Sequence, residues 1–189
     1  METNILTIRN MVCKSCIKVL TQDLDEINIP YDRILLGEVR LKRALTDQEL
    51  SKMKAKIAED GFQILDNKKQ KTVEMIKVVI RDIVQNYEKN NLRDFTKIIA
   101  KKLGTEYANL STLFSHEEQV TIERYLILTK LEKVKELLLY NESTLSEIAV
   151  KLAYSNVHHL SSQFKKIVGL TPREFKKQIQ TGRKSLDKL

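Results

Sequence analysis

The feature that most constrains this chain is a repeat in its second half. Ile99-Ala-Lys-Lys-Leu103 returns 49 residues later as Ile148-Ala-Val-Lys-Leu152. After a one-residue slip, Leu110-Ser-Thr-Leu-Phe114 returns 50 residues on as Leu160-Ser-Ser-Gln-Phe164, and Thr121 and Tyr125 are matched by Thr171 and Phe175. Such a period means one supersecondary unit built twice. In each copy a small residue, Ala100 or Ala149, lets two helices cross closely. A turn follows, then Leu and Phe at i and i+4 on a single helix face. With that face packed inward, the opposite face is free for a major groove. The pattern predicts helix-turn-helix units over about 92–115 and 144–168, joined by a helix over about 122–140 with Leu126, Leu131, Val134 and Leu138 apolar. At 1.5 Å per residue the joining helix spans roughly 28 Å, close to the ~34 Å between successive major grooves on one face of DNA. One chain can therefore serve two grooves.

Local signals agree. Thr144-Leu-Ser-Glu147 and Thr171-Pro-Arg-Glu174 read as helix starts, the first a capping box and the second with proline at the first helical position. Ser155 is placed to cap the helix after the second turn, and Gly169 to end it. Ser115-His-Glu-Glu118 reads as a loop, and His116 receives no role. Charge follows the same division. Residues 1–66 carry 10 Lys and Arg against 11 Asp and Glu, a net of −1, whereas residues 67–189 carry 23 against 14, a net of +9. A near-neutral first third on a basic remainder suggests a sensing module and one that meets a polyanion.

The first third reads as β-α-β-β-α-β. Asn4–Ile8 is a short strand, and Ile17, Leu20 and Leu24 have helical spacing until Asn28-Ile-Pro30. Residues 33–41 form two strands around a tight turn at Gly37-Glu38. Thr46-Asp-Gln-Glu49 opens a second helix, Gly61 stops it, and Phe62–Leu65 is the last strand. That order is the split βαβ arrangement. The polar Asp66–Lys71 segment marks the expected boundary. The expected architecture is thus α+β: a ferredoxin-like βαββαβ domain over 1–66, then an all-α double helix-turn-helix domain over 67–189.

Leu145-Ser-Glu-Ile-Ala149 through Ser155, Phe164-Lys-Lys166 and Gly169-Leu-Thr-Pro172 together resemble the signature of the AraC/XylS family of bacterial transcription regulators. The likeness spans about Thr72 to Lys177 and is most specific in its second half. It implies two helix-turn-helix units joined by a linker helix, usually behind a sensing domain, acting on double-stranded DNA with RNA polymerase as a further partner. Carried over by position, the base-facing sites are Ala108 and Thr112 in the first unit, and His158 and Ser162 in the second. Thr112 and Ser162 are short hydroxyls where many members place arginine, so bidentate guanine reading is not expected there. Asn109, His158, Gln163 and His159 are the better candidates for hydrogen bonds to base edges. His159 stands where members often carry an aromatic, which makes packing its competing role. Ala153-Tyr154 replaces the common Gly-Phe at the turn. Lys165 and Lys166, with Lys101, Lys102 and Lys151, are placed to meet phosphates or simply to be solvated.

Two cysteines are too few for a disulfide framework and read as a metal or redox pair in a reducing compartment. Met11-Val-Cys-Lys-Ser-Cys16 resembles the loop of heavy-metal-associated domains and copper chaperones, a likeness covering about residues 4–66. It implies Cys13 and Cys16 as thiolate ligands for Cu(I) or Zn(II), with Met11 packed beneath the loop. Asn10 and Val12 depart from the residues usual there. Metal binding, a thiol switch and purely structural cysteines all remain open on the sequence. No glycine-rich phosphate loop, zinc-hydrolase motif or nucleophile elbow occurs, so no enzyme is expected. No apolar run is long enough to cross a membrane, and the expectation is a soluble, cytoplasmic regulator. The alternative is a Cu(I)-binding, metallochaperone-like protein whose helical half contacts protein partners.

Overall fold

A computed structural model describes residues 4–141 and 143–182. The ends of the expected 1–66 and 67–189 segments therefore lie outside the described residues. The chain gathers into two compact units, Met1–Val79 with Ile99–Thr121, and Ile80–Ile98 with Ile122–Leu189.

In the first unit, strands β1 (Ile5–Arg9), β2 (Tyr31–Leu35), β3 (Glu38–Leu41) and β4 (Gln63–Leu65) form one antiparallel sheet in the order β2-β3-β1-β4. Helix α1 (Lys14–Glu26) connects β1 to β2, and α2 (Asp47–Glu59) connects β3 to β4. The connections follow from local chemistry. Asn28 adopts φ 58°, a left-handed conformation that asparagine tolerates, and it ends α1 before Pro30 can. Thr46 and Glu49 bond each other's backbone N–H groups in the expected capping box. The β2–β3 turn is Leu36-Gly37, one residue earlier than Gly37-Glu38, because Leu35 pairs with Glu38. Gly37 is required twice over: φ is +78°, and a Cβ would stand 2.7 Å from Val78 Cγ2. The core closes between sheet and helices around Ile8, Leu20, Leu24, Val39, Met53 and Ile57, all fully buried.

The sheet's unit does not stop at residue 66. Helix α3 (Lys68–Gln85) begins inside the polar segment, with Asn67 Oδ1 accepting from the Lys69 N–H at 2.8 Å. Part of α3 belongs with the sheet, as do the end of α4 (Phe95–Leu103) and all of α5 (Tyr107–Glu118). Lys77 of α3 pairs with Glu118 of α5 at 2.6 Å, and Arg9, Leu65, Val73, Glu117 and Glu118 line a small cleft there. The sheet and the second helix of the first repeat thus fall in one compact unit.

In the second unit, α6 (Ile122–Tyr140) is the expected joining helix, and Leu126, Leu131, Val134 and Leu138 are buried as their spacing predicted. It is followed by α7 (Leu145–Lys151), α8 (Val157–Val168) and α9 (Pro172–Gly182). The expected capping box of Thr144 with Glu147 forms, and the helix start at Thr171 proves to be a second one, closed with Glu174.

Candidate functional site

The repeat builds the same helix twice. In α8, Leu160 and Phe164 are fully buried, and Phe164 meets Phe175 of α9 edge-on at 5.5 Å. His158, Ser162 and Lys165 recur at helical spacing on the opposite face and are exposed, with His159 and Lys166 alongside them. Gln163 lies at the margin of that face and is half-buried. In α5, Leu110 and Phe114 are the buried pair, while Ala108, Asn109 and Thr112 are exposed opposite them. Every helix residue named from sequence for a groove contact therefore points away from its core, Gln163 least.

Within those faces the polar groups are not equally free. Thr112 Oγ1 donates to the Ala108 carbonyl at 3.0 Å, so its hydroxyl hydrogen is already engaged. Ser155 does not cap α8. Asn156 does, its Oδ1 accepting the His159 N–H at 2.8 Å, because asparagine one position later brings an acceptor into reach of the third helical N–H. Ser155 Oγ instead stands 3.0 Å from His159 Nδ1. The His159 ring packs edge-on against Tyr154, centroids 5.5 Å apart, so this histidine combines packing with exposure. Behind Tyr154, the Lys130 ammonium of α6 lies 4.1 Å from the ring centroid. Burial pushes the Lys130 amine down to about 8 and the Tyr154 hydroxyl up to about 12.

One exposed residue on this face escaped the sequence reading. Ser115–Glu118 is the last turn of α5 and not a loop, so exposed His116 continues the line of Ala108 and Thr112. The helix ends at Gln119, φ 56°, in a left-handed cap where the second unit uses Gly169, φ 85°. Without a glycine there was no stop signal to read. The repeat itself held the clue, since an offset of 50 sets His116 against Lys166.

The cysteine loop sits elsewhere, between β1 and α1. Met11 is fully buried beneath it, Cys13 is exposed and Cys16 half-buried. Asn10 takes φ 72° and donates from Nδ2 to the Gly61 carbonyl at 2.8 Å, tying the loop to the turn before β4. Both cysteines are free thiols, with Sγ atoms 3.7 Å apart. The Cys16 N–H aimed at Cys13 draws its thiol below the ordinary range, which favours the thiolate. Two soft, accessible sulfurs fit a two-coordinate Cu(I). They fill only half of a tetrahedral zinc site, and among the described residues no group of three or more His, Cys, Asp or Glu is gathered to hold a metal. Nor is any helix long and apolar enough to cross a membrane among the described residues.

Comparison with known proteins addresses the repeat and not the cysteine loop. The uncharacterized HTH-type transcriptional regulator YdiP of Escherichia coli (strain K12) is 27% identical over 105 residues, covering 54% of this chain and 34% of that protein. The chain thus spans about a third of that relative's length. The uncharacterized HTH-type transcriptional regulator in the cgkA 5' region of Pseudoalteromonas carrageenovora is 24% identical over 129 residues, 68% of this chain and 76% of that one. The crystal structure of a DNA-binding transcriptional dual regulator from Escherichia coli K-12 is similar at 19% identity, covering 57% of this chain and 90% of that one, with a TM-score of 0.47. The family model described as a helix-turn-helix domain matches residues 99–178, from within α4 to within α9.

Proposed function

We propose that the protein is a sequence-specific, DNA-binding transcription regulator of the AraC type. The observation that carries this reading is the pair of repeated helices, each with Leu and Phe buried and a polar face exposed, inside the segment that matches the helix-turn-helix family. His158, His159, Ser162 and Gln163 of α8, with Ala108, Asn109 and Thr112 of α5, are the proposed base-facing residues. Lys165 and Lys166 are the proposed phosphate contacts. The names of the two curated relatives agree with this reading, and RNA polymerase is the second partner it brings. The excess of cations after residue 66 supports it too, because neutralised phosphates release counterions and make binding salt-dependent. The test is duplex binding by the full chain across a salt series. Affinity should fall linearly in log[salt]. A folded chain that takes up Cu(I) but shows no salt-dependent binding is instead the metallochaperone-like protein.

The first unit is proposed as a ferredoxin-like sensor, with Cys13 and Cys16 holding a thiophilic metal, Cu(I) by the donor set. Packing of α5 on the same body as the sheet supplies a route: ordering at the loop after β1 can bias the helix beside Arg9 and Lys77. The bias cannot exceed the metal's differential affinity for the two arrangements, typically about 1–3 kcal/mol, or about 5- to 150-fold in DNA affinity. Titrating Cu(I) under reducing conditions, with DNA binding read in parallel, tests it. Wild type should take up one equivalent and change its DNA affinity, and the Cys13→Ser, Cys16→Ser double variant should do neither. The 3.7 Å between sulfurs also favours a thiol-state reading. In that case a small-molecule disulfide, by accepting two electrons from the pair as an internal S–S bond forms, should produce the change without metal.

A further inference from the structure

We propose that Lys130 and Tyr154 are positioning residues for base reading by His159, an inference that rests on α8 being the DNA-contacting helix. Lys130 lies on α6, and its only interaction among the described residues is with the Tyr154 ring, 4.1 Å from the centroid. It is half-buried, and an ammonium over an aromatic face is held more strongly where water is excluded. The same ring meets His159 edge-on at an interplanar angle of 80°. Nothing polar holds Tyr154 in place: its side chain is buried and its hydroxyl has no hydrogen-bond partner among the described residues. The cation on its face is therefore the directional contact that sets the ring, and the ring sets the histidine.

The His159 ring is held on one further side: Ser155 Oγ stands 3.0 Å from its Nδ1, while Asn156 takes only the backbone N–H, so Nε2 is the ring nitrogen left for a base edge. A side chain already held in one orientation loses little rotamer freedom on binding, and a misaligned base then cannot be met by swinging the ring. The first repeat has no counterpart, since Thr105 stands in the place of Tyr154 and Asn109 in that of His159. Discrimination at one position of the binding site thus depends on a lysine of the joining helix that faces a tyrosine.

The test is selection of bound duplexes from a randomised library by the full chain, compared among variants. Lys130→Met keeps the stem and removes the charge. It should relax preference at the same base pair as His159→Ala, by about 3- to 30-fold as judged by the range of cation–π energies. The double variant should lose no more than His159→Ala alone. Lys130→Arg, which restores a cation over the ring, and Tyr154→Phe, which keeps the ring, should retain the wild-type preference and show that the fold tolerates change at both positions. If Lys130→Met enriches the wild-type sequence undiminished, or adds its loss in full to that of His159→Ala, the inference is overturned while the DNA reading stands. A wild-type chain that enriches no sequence overturns both.

Discussion

The two repeated helices share a plan and differ in almost everything the plan leaves free. Both bury Leu and Phe at i and i+4 and expose the opposite face. On that face α8 carries two histidines and two lysines, while α5 carries Ala108, Asn109, Thr112 and His116, ends in Glu117-Glu118 and holds no lysine or arginine. The turns differ too: α4 leads into Gly104, φ +62°, and α7 into Ala153, φ 53°, the same left-handed conformation with and without a Cβ. A third difference is where each helix belongs. The first shares a compact unit with the sheet, and the second shares one with the joining helix. Burial has preserved what packing requires, while charge and contact have diverged. Such a division suits one helix that grips DNA and another whose placement can be adjusted.

The largest expected effect breaks or keeps that asymmetry directly. His158→Ala and Gln163→Ala should each cost about 1–3 kcal/mol on the preferred duplex and relax preference there. Thr112→Ala should cost under about 0.5 kcal/mol, because its hydroxyl already donates to the Ala108 carbonyl. Lys165→Ala should weaken all duplexes alike and lower the salt slope by about one, whereas His116→Ala should leave the slope unchanged at pH 8. Competition binding at two salt concentrations measures all five. Equal losses from Thr112→Ala and His158→Ala would show that both helices read bases, and the asymmetry would be gone.

How much of this was legible depends on whether a residue type carried the signal. The βαββαβ order, the capping boxes at Thr46 and Thr144, the helix start at Thr171 and the bounds of α6 were readable because glycine, threonine, proline and the apolar period mark them. The end of α5 was not, since Gln119 adopts a left-handed cap that glutamine does not advertise. The cap of α8 was misread by one residue because Ser155 and Asn156 are both capping residues, and only the fold shows that Asn156 is the one accepting the His159 N–H. The grouping of α5 with the sheet in one compact unit was invisible, since contacts made across distant sequence leave no local pattern. The exposed face of each repeated helix was recoverable from periodicity, and the candidates on it came from the family resemblance, but the cation behind Tyr154 was legible in neither. Lys130 looks like any solvated lysine until the fold places it.

That lysine gives the second expected effect, on stability. In the folded chain its amine is pushed down to about 8, whereas unfolded it titrates near the ordinary lysine value of about 10.4. Between those values the unfolded chain binds a proton that the folded chain does not, so stability rises with pH across about 8 to 10.4 and is lowered by a constant amount below 8. The attraction of the Tyr154 face for the charged form offsets part of this, leaving a rise of about 1–2 kcal/mol. Thermal unfolding of wild type and Lys130→Met over this window isolates it, because every other titrating group is shared. The wild-type curve should gain on the variant as pH increases. Parallel curves would mean that the amine is not desolvated and that the second turn is held much as the first is.

The smallest expected effect concerns the turns themselves. Ala153 at φ 53° holds a Cβ in a conformation that glycine adopts freely, at a strain of roughly 1 kcal/mol. Ala153→Gly should remove that strain but widen the freedom of the unfolded chain, for a net gain of no more than about 0.6 kcal/mol. The reciprocal change, Gly104→Ala, meets open space around the new Cβ, so its cost is the backbone term alone, a loss of about 1 kcal/mol. Two turns of one geometry should therefore respond to opposite substitutions with opposite signs, read as shifts in the denaturant midpoint at constant slope. If Gly104→Ala instead costs 3 kcal/mol or more, the first turn is held by contacts that the second lacks, and the repeat is less symmetric in its backbone than its dihedral angles imply. If Ala153→Gly destabilises, the alanine methyl, half-buried beside Tyr154, contributes packing that outweighs the strain. The departure from glycine at this turn would then belong with the Lys130–Tyr154–His159 stack and not with the turn.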